Sequence, residues 1–171
     1  MNSPVPARVN TPEAAEFYRR LQQVTTCIHD TESLSQLMLD VSPDICSLFN
    51  ADRLTLYAVS EDKTAIVSRV KTGLTTSKEL KLPIGPQSIA GFVALTRQFL
   101  NIKDVYDDAE LAAIDSRLHF LKEVDRRSGY RTRQMLVAPI LDGAELKGVL
   151  QVINSKISHP FGALEMDGVV Q

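Results

Sequence analysis

Apolar residues recur at spacings of three and four at the start of the chain, alternate in the middle, and return to the longer period between the alternating runs. Ala14, Phe17, Leu21, Val24 and Ile28 form a heptad-like stripe. Thr11-Pro12-Glu13 opens it with a hydroxyl N-cap, a proline at the first helical position and an acid in the first turn. The stripe predicts a helix that lies on its own domain, or a seam that also meets a second copy; both readings stay open. His29-Asp30-Thr31 ends the stripe, and a second helix is expected from near Thr31, turning Leu34, Leu37, Met38, Val41, Ile45, Leu48 and Phe49 inward, with Pro43 bending it.

Strict alternation follows. Arg53–Val59 is apolar on both faces and predicts a central strand covered on both sides. Ser60 to Lys63 turns the chain into a return strand over Thr64–Lys71, ended by Gly73 and a polar TTSK loop. A short strand is expected over Glu79–Leu82, closed by Pro83. Gly85-Pro86 is a turn, and Ser88 caps a helix through about Arg97 that buries Ile89, Phe92, Val93 and Leu95. Phe99–Ile102 is short and extended. One long helix is predicted from Ala109 to about Ser128, with Leu111, Ile114, Leu118, Leu121 and Val124 as its stripe and Gly129 as its stop. Gln134–Leu141 and Glu145–Ser155 form a hairpin about Asp142-Gly143, with Gly148 marking a close backbone approach. The last segment, GALEMDGVVQ, reads as the start of a helix.

Consecutive strands imply an antiparallel sheet, and the placement of the helices makes this an α+β fold with helices on both faces. Residues 12–171 are expected to form one domain behind a disordered leader of residues 1–11, cut just inside a connector helix. The stretch Ile84–Asp107 would form the wall and mouth of a pocket between sheet and middle helices.

Composition narrows the function classes. The 171 residues are 44% hydrophobic and 23% charged, with a formal net charge of −2. That balance suits a soluble, cytoplasmic globular domain, not a nucleic-acid binder or a membrane-inserted chain. Cys27 and Cys46 sit among apolar residues and read as small buried hydrophobes. The chain has no CxxC, no HExxH and no P-loop, so neither a metal, a cofactor nor ATP hydrolysis is expected of it. Asp104, Asp107, Asp108 and Glu110 lack the order of a calcium loop and read as acids at a helix N-terminus, with Asp107 or Asp108 as cap. Arg126, Arg127, Arg131 and Arg133 cluster at the helix stop; two complement its C-terminus, or one reaches an anion in the pocket. The free N–H groups after Ser88 could hold an anion or a carbonyl oxygen, or Ser88 satisfies them.

SIAGFVALTRQFLNIKDVYDD and EVDRRSGYRTRQMLVAPI followed by GVLQVINSK resemble the middle and closing hairpin of a GAF domain. The likeness is to GAF domains of cyclic-nucleotide phosphodiesterases and cyclases. FYRRLQQVT and DICSLFNADRLTLYAVSEDK are also similar to GAF modules ahead of secretion-type ATPases, such as the type II secretion E protein. The resemblance implies a sheet of five or six antiparallel strands, a small-molecule pocket, and homodimers through terminal helices. With the pattern, it nominates Ser88, Ile89, Ala90, Asn101, Asp104, Arg131 and Arg133 as ligand contacts.

Cyclic-nucleotide members carry Asn-Lys, then Phe, three residues, and Asp-Glu. Here Asn154 and Phe161 match, Ser155 and then Lys156 follow Asn154, and Glu165 and Met166 stand where Asp and Glu would. The register of any Lys156–Glu165 pair is therefore shifted, which counts against a cyclic nucleotide. Haem- and bilin-binding relatives use a histidine or cysteine at the pocket; His119 is the one histidine that could serve, and the cysteines lie on the early helices. The expected role is a regulatory small-molecule sensor relaying to an output domain, with a secretion-type ATPase as one such domain. The alternative is a ligand-free docking or dimerisation module.

Overall fold

The protein is described by a computed structural model for residues 11–29, 42–71, 79–156, 161, 162 and 166. The expected leader, the first part of the second helix, the TTSK loop, Glu165 and most of the last segment lie outside the described residues.

Helix α1 spans Pro12–His29, and residues 42–48 form a second helix, α2. Thr11 caps α1 as its chemistry requires, its hydroxyl accepting from the Ala14 N–H at 3.1 Å. The strands are β1 (Ala51–Val59), β2 (Ala65–Lys71), β3 (Lys81–Pro83), β4 (Leu100–Ile102), β5 (Met135–Asp142) and β6 (Glu145–Ser155). Three further helices are α3 (Ile89–Thr96), α4 (Asp108–Ile114) and α5 (Lys122–Ser128). The six strands form one sheet in the order β3-β2-β1-β6-β5-β4, every pair antiparallel. β1 is central, as its two apolar faces require. Pro83 is itself paired, opposite Ala65, on edge strand β3, where a missing N–H costs no ladder bond.

Side-chain alternation divides the core in two. On one face Leu54, Leu136 and Val152 meet Phe17, Cys46, Phe49 and Phe161. Phe17 and Phe49 meet edge to face, their centroids 5.8 Å apart. On the other face Tyr57, Met135, Val137, Val149 and Ile153 meet α3 and the segment from Val105 to Leu118. Ala14 and Phe17 of the first stripe are thus buried on their own domain.

Gly148 has no room for a side chain: a Cβ there would fall 2.2 Å from the Tyr57 carbonyl oxygen. Gly143 turns the β5–β6 hairpin with φ +58, and Asp142 pairs with Glu145 across it. Asp142 therefore belongs to the strand, one residue beyond the expected end.

Two expectations fail. The long helix breaks into α4 and α5, because Asp115 leaves the helical region (φ −157, ψ 133) and its carboxylate accepts from the Arg117 N–H at 2.9 Å. Such a local side-chain bond competes with helix continuation. Ile114 and Leu121 end up 36% and 37% exposed. Leu95 is also solvent-facing at 49%, because α3 packs through Ile89–Ala94 instead. Gly129 caps α5 with φ +67, as expected, and Arg126 and Arg127 lie in its last turn.

Candidate functional site

Between the sheet and the α3 and α5 layer lies a cavity of about 70 Å3, several times the space one water requires. Its floor is the alternating face of the central strands: Thr55 and Tyr57 from β1, Met135 from β5, Gln151 and Ile153 from β6. Leu80 and Leu82 close one side, and Ser88, Ile89 and Ala90 present the start of α3. Phe120, Leu121, Val124, Asp125 and Thr132 form the roof.

The start of α3 is held by short-range chemistry. Ser88 is extended (φ −130, ψ 156), and its Oγ accepts from the Gly91 N–H at 3.1 Å. A Cβ on Gly91 would come 2.5 Å from the Pro83 carbonyl oxygen, so glycine there lets the β3–α3 loop sit directly on the helix. At the far end Arg97 adopts φ +57, and its guanidinium donates to the Ala144 carbonyl at 2.6 Å.

The roof carries the cavity's one charged group among the described lining residues, Asp125, which is 7% exposed. Its carboxylate accepts from the Tyr106 hydroxyl, the Thr132 N–H and the Thr132 hydroxyl, each at 2.8 Å. These bonds compensate burial of the charge. Tyr106 packs edge-on against Phe120 at 5.2 Å, and Arg131 stacks on its ring at 3.7 Å. Burial, then the Asp125 carboxylate, pushes the Tyr106 hydroxyl above its ordinary pKa. On the floor, burial pushes the Tyr57 hydroxyl up as well; it donates to Gln151 Oε1 at 3.4 Å, the long limit of such a bond.

A second polar assembly fixes the strand that enters the roof. Asn154 has φ +52. Its Oδ1 accepts from the Arg133 and Gln134 N–H groups at 2.7 and 3.0 Å. Its Nδ2 donates to the Tyr130 hydroxyl and the Arg131 carbonyl at 2.8 and 2.9 Å. Tyr130 in turn donates to Asp52 at 2.6 Å, and the Arg53 guanidinium lies 3.5 Å from its ring centre. Burial, then Asp52, pushes the Tyr130 hydroxyl up.

Of the nominated contacts, Ser88, Ile89 and Ala90 line the cavity. Asn101, Asp104, Arg131 and Arg133 do not. Asn101 donates to the Phe161 carbonyl at 2.9 Å and leaves its own buried Oδ1 without a partner among the described residues. Asp104 accepts from the Tyr106 N–H at 3.0 Å and fixes its loop. Asp107 caps α4, accepting from Ala109 and Glu110, while Glu110 accepts from the N–H groups of Lys103 and Asp104. Arg131 and Arg133 are exposed. Phe161 is buried, Lys156 is exposed with its N–H on the Asn50 carbonyl, and Glu165 lies outside the described residues. His119 is exposed, Cys46 is buried, and Cys27 lies in α1. Among the described residues no cluster of His, Cys, Asp and Glu is arranged to hold a metal. No described helix is long and apolar enough to cross a membrane.

Sequence reasoning missed Thr55, Tyr57, Asp125, Thr132 and Gln151. For Thr55, Tyr57 and Gln151 the available signal was polar atoms on one face of otherwise apolar strands, whereas Asp125 on α5 and Thr132 in the loop before β5 carry no such local signal.

The chain matches the family model for the GAF domain over residues 33–169. It is 28% identical over 193 residues to the dual 3',5'-cyclic-AMP and -GMP phosphodiesterase 11A of Takifugu rubripes, covering 96% of this chain and 20% of that protein. It is 36% identical over 114 residues to the cGMP-specific 3',5'-cyclic phosphodiesterase of Drosophila erecta, covering 66% of this chain and 9% of that protein. The chain thus spans a fifth or less of these curated relatives. Among solved structures, the GAF domain of a phosphoenolpyruvate-protein phosphotransferase from Coxiella burnetii superposes with a TM-score of 0.70 at 23% identity, covering 92% of this chain and 88% of that one.

Proposed function

The chain belongs to the GAF domain family, and from that membership we propose that it is a non-catalytic sensory module of a longer, cytoplasmic signalling protein. A small molecule enters the cavity between the sheet and α5, and its occupancy is passed to an output domain through the terminal segments. The observation that carries this is the sheet itself. Cavity-lining Met135 and Ile153 alternate along their strands with Leu136 and Val152, which pack on Phe17 of α1 and on Phe161. A ligand that favours one sheet geometry therefore biases the packing of both chain ends.

The relatives' names supply phosphodiesterase as one output, and the resemblance to modules ahead of secretion-type ATPases supplies another; both belong to this proposal. So does a homodimer through the terminal helices, for which α1 retains an exposed polar face around Glu16, Arg19 and Arg20. Light scattering on the purified chain decides the last point; a strictly monomeric solution removes it.

The main test is native mass spectrometry of the purified chain for a co-purifying small molecule, followed by thermal-shift screening with cyclic nucleotides, purine nucleotides and common metabolites. A true ligand at a hundred times its Kd adds about 2.7 kcal/mol of stability and perturbs the amide resonances of Ala90 and Gln151 together with that of Phe17. Perturbation confined to surface residues would count against the cavity as the sensing site.

A further inference from the structure

We propose that the cavity selects uncharged or cationic, hydrogen-bond-donating flat molecules and discriminates against anions, cyclic nucleotides included. This rests on the reading of the cavity as a ligand site and goes on to name the ligand class. The lining carries one formal charge, the Asp125 carboxylate, and no lysine, arginine or histidine among the described residues. An anion placed there would meet a buried negative charge, with the N–H groups at the start of α3 and no cationic side chain among the described lining residues to offset it.

Of the cations near the roof, Lys122 lies over the Tyr106 ring at 5.4 Å and Arg126 is exposed. The Arg131 guanidinium is stacked on the Tyr106 ring, Arg127 bonds Glu123 at 3.0 Å, and both arginines are exposed. Asp125 accepts three hydrogen bonds from the protein, whereas a carboxylate offers about four acceptor sites. Among the described residues, one acceptor site on a buried carboxylate at the cavity wall is thus left for a donor. Leu82, Phe120, Met135 and Ile153 make the rest of the surroundings apolar and suited to a ring.

Benzamidinium, benzamide and benzoate share size and shape and differ in charge, so they isolate this effect. Each is titrated into the labelled chain while the amides of Thr55, Ala90 and Gln151 are followed by NMR. The expected order is benzamidinium first, tighter than benzamide by about tenfold for a charge-assisted bond, and benzoate last. In Asp125→Asn the benzamidinium preference collapses to near parity with benzamide, and benzoate binding strengthens. If that variant fails to fold, the wild-type order alone decides. Benzoate binding as tightly as benzamidinium at these amides overturns the charge assignment and leaves the cavity as a ligand site. If none of the three probes moves these amides, the small-molecule reading falls and this inference with it.

Discussion

The Tyr106 hydroxyl donates to Asp125 Oδ2 at 2.8 Å, and this bond joins the loop before α4 to the middle of α5. Tyr106 also carries Arg131 on its face and Phe120 against its ring. Removing the hydroxyl while keeping the ring isolates the bond. Tyr106→Phe is expected to cost about 1.5–3 kcal/mol, the range for hydrogen bonds to charged groups. Hydrogen exchange should quicken in α5 more than in β1. Uniform acceleration across the domain would mean that Tyr106 supports the whole core and not the roof in particular.

Asn154 offers a sharper substitution series. It accepts two backbone bonds, donates two, and holds φ at +52. Asn154→Asp keeps the acceptors and loses both donors. Asn154→Gly keeps the backbone conformation and loses all four bonds. Asn154→Ala loses the bonds and is strained as well. Denaturation midpoints are expected in the order Asn, Asp, Gly, Ala, with the alanine variant about 2–4 kcal/mol below wild type. A glycine variant as stable as wild type would show that conformation, and not bonding, is what Asn154 provides.

Gly148→Ala should be among the costliest single-methyl additions in the sheet. The added carbon would meet the Tyr57 carbonyl at 2.2 Å, and a paired backbone cannot step aside. A loss of about 3 kcal/mol or more is expected, the upper range for overpacking. Gly143→Ala, with nothing within 4 Å of its Cβ, pays only for φ +58, about 1–2 kcal/mol. Chemical denaturation of the two variants side by side checks the contrast.

Acid sensitivity should include the β1–β2 turn, alongside the turn after α4, where the Arg117 guanidinium and N–H hold Asp115 equally low at about 2. The Ser60 hydroxyl and the Thr64 N–H and hydroxyl all donate to Asp62, which holds its pKa at about 2 against an ordinary 3.8. A carboxylate depressed on folding contributes stability above its unfolded pKa and loses it as pH falls through the folded value. The contribution is therefore complete above about pH 4 and fades between there and about pH 2. Thermal melts of wild type and Asp62→Asn should differ at neutral pH and converge toward pH 2. A constant difference across that window would place the effect of Asp62 outside its ionisation.

Where a feature depends on neighbours in sequence, the chain declares it. Ser88 capping α3, Asp107 capping α4 and Gly129 ending α5 are local bonds and local dihedrals, and the strand hairpins follow from alternation. The failures have a common cause in competition or distance. Asp115 and Arg117 look like ordinary exposed helix residues until the Asp115 side chain takes the Arg117 N–H and diverts the backbone. Leu95 satisfies the helical period, yet the short α3 buries its other faces.

The site was less legible than the fold. Ser88, Ile89 and Ala90 were visible because they open a capped helix after a turn. Thr55, Tyr57 and Gln151 were not, since alternation says that two faces exist and not which one holds a cavity. Asp125 reads as an ordinary helical acid, and only its convergence with Tyr106 and Thr132 makes it a buried charge. Arg131 and Arg133 were drawn toward the pocket by their chemistry, whereas the ring of Tyr106 holds Arg131 outside it.

The strand alternation has a mechanical consequence. Met135 faces the cavity and Leu136 faces the cluster containing Phe17 and Phe161, so consecutive residues of one strand serve both compartments. Under the proposed relay, a sheet shared by two chambers would pass a displacement from one to the other without any chain of intermediaries. Surface substitutions should leave such transmission intact. Softening the sheet, by breaking the β5–β6 ladder, is the way to disconnect its two sides.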